Sequence, residues 1–138
     1  MASAVRLIRS DVLSDAAQYA YASTVPAGTR LVFLAGACPL EPDGSTAAVG
    51  DYAGQAALCI ETMREALRAA GASIEDVSTR VLVASSRQAD LVAAWQVVRD
   101  AFGAHDVPST LLGVTVLGYD DQLVEIEAVA AVADGQPA

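Results

Sequence analysis

Two stretches of this chain carry apolar residues at helical spacing, and that small number limits what the remaining segments can build. Ala56, Cys59, Ile60, Met63, Leu67 and Ala70 form one stripe, with Asp51 placed as its N-cap and Gly71 as the left-handed residue that ends it. Glu61–Arg64 and Glu65–Arg68 fall at i,i+3 on the wet side. Leu91, Trp95, Val98 and Phe102 form the second stripe; Ser85 and Gln88 before it have capping-box spacing, and Gly103 stops it. Short apolar or alternating runs at 5–9, 19–24, 31–35, 77–84, 110–117 and 123–132 read as strands. Pro39, Pro42, Asp43 and Gly44 make a loop between the third strand and the first helix. Gly118-Tyr119-Asp120-Asp121 reads as a hairpin turn joining the last two strands, and residues 133–138 as a frayed tail.

The predicted order is β-β-β-α-β-α-β-β, an α+β fold with a single mixed six-stranded sheet. Two helices cover only one face of such a sheet. Leu82, Leu112, Val114 and Val116 remain candidates for the other face, and a partner subunit is the economical cover for them. At 138 residues and 54% apolar composition the chain makes one domain with a proper core.

All eight positive charges are arginines, against a net charge of −9. Without lysine there is no Schiff-base chemistry and no phosphate-cradling P-loop. His105 is the sole histidine, lying in a short polar loop where it reads as solvated, so a Cys/His zinc site is excluded; neither metal nor cofactor is expected. The acidic charge disfavours nucleic acid and anionic membrane as partners. Arg6, Arg9 and Asp11 interrupt any N-terminal apolar run, and two cysteines do not make a disulfide framework, so a cytoplasmic location is expected.

Several strings, in order, resemble the RidA/YjgF family, also called the L-PSP endoribonuclease family. They are Leu31-Val-Phe-Leu-Ala-Gly-Ala-Cys-Pro-Leu, Asp51 to Gln55, Ala69-Ala-Gly-Ala-Ser followed by Asp76-Val77, Pro108-Ser-Thr, and Val124-Glu-Ile-Glu-Ala-Val-Ala. The match runs from about Tyr19 to Val132. The resemblance implies a chorismate-mutase-like fold, a homotrimer with clefts between subunits, and hydrolysis of reactive enamines and imines to ketones and ammonia. It places the water-positioning glutamate on Glu125 and the pocket tyrosine on Tyr21 or, alternatively, Tyr19. The family's substrate-binding arginine falls on Thr110, its Ser-Gly-Gln on Ala35-Gly36-Ala37, and a second-helix asparagine on Trp95.

The residues themselves sharpen that picture. Threonine cannot imitate the two-point grip of guanidinium on a carboxylate, which points to an uncharged or weakly charged imine, enamine or carbonyl substrate. Glu125 and Glu127, at i,i+2 on one strand, share a face about 7 Å apart. In a dry cleft one of them titrates high enough for acid–base work; alternatively the pair forms intersubunit salt bridges, with Arg80 as the candidate partner. Ser109 and Thr110 bind a neutral ligand or satisfy their own backbone. Cys38 and Gly36 read as pocket wall, Cys38 alternatively as packing, while Trp95 is either core or pocket lining. A regulatory, non-catalytic binding trimer is the competing reading.

Overall fold

The computed structural model describes residues 4–16, 18–74 and 76–132. Among them are six strands and two helices: β1 (Arg6–Ile8), β2 (Ala22–Thr24), β3 (Arg30–Phe33), α1 (Tyr52–Ala69), β4 (Asp76–Ala84), α2 (Gln88–Phe102), β5 (Ser109–Val114) and β6 (Val124–Val132). The α+β class and the element order agree with the sequence pattern. Residues 133–138, read as a tail, lie outside the described residues.

Helix α1 begins and ends where its caps predict. The Gly54 N–H donates to Asp51 Oδ1 at 2.9 Å, a contact of a kind that stabilises a helix by ~1 kcal/mol. At the other end Gly71 adopts φ +77°, the Gly71 N–H donates to Arg68 O and the Ala72 N–H to Leu67 O. These paired bonds are the Schellman arrangement. Helix α2 departs from the expected capping box. Ser85 does not bond the Gln88 backbone; its hydroxyl accepts from the Arg87 N–H and donates to Asp90, and the helix starts later, with Arg87 at the cap.

The sheet departs from the expectation in two ways. The six strands divide into a four-stranded mixed sheet, ordered β3-β6-β4-β5, and a two-stranded antiparallel pair, β1-β2. The pair is drawn elsewhere by side-chain and backbone ties. Arg9 makes a two-point bond to Asp106, the Ala20 N–H donates to Asp106 O, and the Ser23 hydroxyl donates to Val77 O. The turn at Pro26 to Thr29 then separates β2 from β3. The predicted hairpin is absent as well: β5 pairs parallel with β4 through the α2 crossover, and β6 inserts antiparallel between β3 and β4. The turn chemistry at Gly118 to Asp121 was legible, with Asp121 at φ +62°, but the turn carries the chain across β4 rather than back along β5. β5 also ends at Val114, short of the expected Leu117.

Alternation from Val124 to Ala130 along β6 decides the two faces of the sheet. Val124, Ile126, Ala128 and Ala130 are buried against Cys59, Met63 and Leu67 of α1, with Val98 of α2 and Val81 and Val83 of β4 completing the core. Each large aliphatic side chain buried there contributes roughly 1.5–3 kcal/mol. The opposite face carries Glu125, Glu127, Arg80, Leu82, Thr110, Leu112 and Phe33, all partly or largely exposed.

Candidate active site

Register assembles a polar row on that outer face. Thr110 of β5 stands opposite Arg80 of β4, and Arg80 opposite Glu127 of β6. The next row is Leu112, Leu82 and Glu125. Arg80 Nη1 lies 3.7 Å from Glu127 Oε2, an ion pair too long for a direct hydrogen bond, with both side chains about half exposed at 55% and 44%. The polar row lines a cleft of about 520 Å³ that also takes in Tyr19, Tyr21 and Phe33.

Each sequence-predicted residue has a definite place relative to this cleft. Thr110 lines it, and its hydroxyl has no side-chain partner among the described residues. Ser109 lies at the rim, but its hydroxyl donates to Val107 O and shares a 2.7 Å bond with the Thr79 hydroxyl, because β4–β5 register pairs it with inward-facing Thr79. Tyr21 and Tyr19 both line the cleft; the Tyr21 hydroxyl donates to Ser14 O. Trp95 stands behind Tyr19, the rings edge to face at 5.7 Å, with the indole N–H donating to Gln18.

Glu125, Gly36 and Cys38 do not line that cleft. They form a second cluster one row along the same face. Two hydrogen bonds between Ala37 and Ile126 lay the Gly36–Cys38 segment beside β6, so that Ala37 is buried while Gly36 and Cys38 flank Glu125. The Cys38 thiol donates to Glu125 Oε1 at 3.1 Å, and Gln122 Nε2 donates to the same oxygen at 3.3 Å. Burial, reinforced by the bond to Glu125 and its charge, pushes the Cys38 thiol up to about 11, so it is a protonated donor at neutral pH.

Gln122 is held in turn. It is buried, receives the Tyr119 N–H on its own oxygen, and bonds Val124 O. Buried Gln55 of α1 anchors the same segment, donating to Asp121 O and accepting from the Leu123 N–H at 2.7 Å. Gln122 did not stand out in the sequence, since an isolated Gln carries no spacing signal, and Gln55 entered only as the end of the Asp51 to Gln55 string. Arg80 was legible from its parity with Val81 and Val83. Among the described residues no group of three His, Cys, Asp or Glu side chains is placed to hold a metal ion, and no helix is long and apolar enough to cross a membrane.

Residues 12–132 match the family model described as Endoribonuclease L-PSP. The chain belongs to this family, the Rid/YjgF family of the resemblance. A RutC family protein of Pyrococcus horikoshii is 32% identical over 110 residues, covering 80% of this chain and 85% of that protein. The crystal structure of the Rid-family protein YyfB of Yersinia pestis superposes with a TM-score of 0.83 at 26% identity, over 94% of this chain and 99% of that one. A YjgF-family protein of Mycobacterium tuberculosis gives a TM-score of 0.62 at 28% identity, over 93% and 99%. These relatives support the chorismate-mutase-like fold for this Rid protein.

Proposed function

We propose that this Rid protein is a small-molecule hydrolase acting on an imine, an enamine or a related carbonyl compound, in a cleft completed by neighbouring subunits of a homotrimer. Glu125 takes a proton from water as the oxygen attacks the C=N carbon and passes it to the nitrogen, giving a carbinolamine. The carboxylate then carries the carbinolamine's hydroxyl proton to the same nitrogen as the C–N bond breaks, releasing ketone and ammonia. The observation that carries this reading is the Glu125 carboxylate, held by two donors on the same exposed face as the cleft, about 7 Å along β6 from Glu127.

The charges of the cleft favour an uncharged or weakly charged substrate. Its cationic lining residue, Arg80, already faces Glu127, so its charge is balanced within the protein. Thr110, which stands where the resemblance places an anion-binding arginine, offers a hydroxyl instead. That same charge balance, with a net charge of −9, gives no support to nucleic acid as substrate.

The experiment is ammonia release from freshly generated small imines and enamines. Glu125→Gln is expected to lower turnover at least ~100-fold, the usual worth of a positioned base, while leaving the oligomer intact. Turnover equal to wild type would sink the proposal. A binding trimer without chemistry is the second reading, favoured by the Ser109 hydroxyl being engaged inside the fold. Thermal stabilisation of the wild-type protein by such compounds without ammonia release would select it.

A further inference from the structure

The carboxylate of Glu125 has two oxygens, and its surroundings treat them differently. Both of its side-chain hydrogen bonds end on Oε1, from the Cys38 thiol and from the Gln122 amide. None among the described residues ends on Oε2. Oε2 lies instead over Gly36, so close that a Cβ there would stand 2.5 Å from it. We infer that Cys38 and Gln122 are positioning residues that occupy Oε1 and leave Oε2, lodged over Gly36, as the oxygen that receives the proton from water. The inference rests on the proposed role of Glu125 and names the atom and the groups that make the role work.

The supporting groups are themselves fixed, which is what positioning requires. The Cys38 backbone is braced by the Thr62 hydroxyl and the Leu40 N–H, both donating to its carbonyl, and by the two bonds of neighbouring Ala37 to Ile126. Gln122 is 4% exposed and has both ends of its amide engaged. A carboxylate held at one oxygen by two donors loses the rotation that would exchange its oxygens. The ionisable groups around it are Cys38, Cys59 on α1, and Glu127 with its partner Arg80. Burial pushes the Cys59 thiol up as well, so both thiols are neutral wherever a carboxylate works as a base.

The geometry can be tested without turnover. The rate of Cys38 alkylation by iodoacetamide, followed against pH by peptide mass, is expected to inflect near 11 in the wild-type protein. In Glu125→Gln, with the negative charge removed, the rate at pH 9 is expected to rise about tenfold. A profile identical in the two proteins overturns the positioning.

The second arm reads catalysis. Cys38→Ala is expected to lower kcat about tenfold with KM unchanged, by freeing the carboxylate to rotate. Cys38→Ser, which keeps a donor and a stronger one, is expected to recover kcat. Wild-type kcat in Cys38→Ala would overturn the inference. A shifted alkylation profile beside a fully active Glu125→Gln would overturn the catalytic reading and, with it, the assignment of Oε2.

Discussion

Gly36 is the residue on which the second cluster turns. Its missing side chain is the space in which Glu125 Oε2 lies, and a methyl group there would meet Oε2 at 2.5 Å and the carboxyl carbon at 2.7 Å. The carboxylate is the far end of a flexible side chain on a partly exposed strand face, so it yields more cheaply than the backbone. Gly36→Ala is therefore expected to cost little stability, under about 1 kcal/mol by the usual scale of tolerated surface changes, yet to lower turnover nearly as far as Glu125→Gln. Thermal melts and ammonia release on the same preparation check both halves. A large fall in Tm with activity retained in the folded fraction would mean that the backbone yields instead.

At this scale the sequence was uneven. The shared face of Glu125 and Glu127 follows from strand alternation, and so does the parity of Arg80. The engagement of Ser109 does not, because it depends on which residue of β4 stands beside it. Gln122 gave no signal, since it lies in the irregular chain just before β6 and reaches Glu125 from outside the strand's alternation.

Elements show a different division. Local chemistry decides helix ends when one residue can do the work, as Asp51 and Gly71 do for α1. It misleads where other partners compete: the Ser85 hydroxyl accepts from the Arg87 N–H and donates to Asp90, so the box with Gln88 never closes. Strand partners are harder still. The alternation of β5 and β6 is compatible with a hairpin, and only the free edge of β4, already parallel to β5, makes the insertion of β6 the better pairing.

The placement of the β1-β2 pair rests on ties that also predict a pH dependence. The two-point hydrogen bond from Arg9 holds the Asp106 carboxyl below the usual carboxylate range, with the arginine's charge adding to it. A depressed folded-state value means that the tie stabilises the fold above pH ~4, the unfolded value, and that this stabilisation is lost as pH falls through the lower folded value. The Tm difference between wild type and Asp106→Asn is expected to be constant from neutrality down to pH ~5 and to shrink below ~4. Arg9 is largely exposed, so the difference corresponds to ~1 kcal/mol at most. A Tm difference that grows on acidification would overturn the assignment.

For the whole molecule the open question is what covers the outer face of the sheet. The helices are spent on the inner face, and the outer one leaves Phe33 73% exposed, Leu112 40% and Leu31 45%, with Val116 beyond β5 at 77%. Exposed apolar side chains concentrated on one face, around a polar row, are unusual for a monomer. A net charge of −9 opposes association of identical chains at long range, so the cover has to come from apolar contact at close range. The homotrimer proposed above would supply such contact and would place each cleft against a neighbour.

Phe33 lies where the two requirements meet, since it is both exposed and part of the cleft wall. Phe33→Asp puts a carboxylate onto an exposed apolar position of a chain whose net charge is already −9, without touching the core. The wild-type protein is expected to sediment as a trimer, and Phe33→Asp as a monomer with an unchanged far-ultraviolet spectrum. If the cleft is completed between subunits, the same variant loses turnover even though Glu125, Gly36 and Cys38 are untouched. Raising salt screens the like-charge term over a Debye length of ~10 Å at 0.1 M, and should strengthen wild-type association while rescuing the variant only in part. A monomeric wild type, or a Phe33→Asp variant of wild-type mass and activity, would show that another surface joins the subunits or that none does.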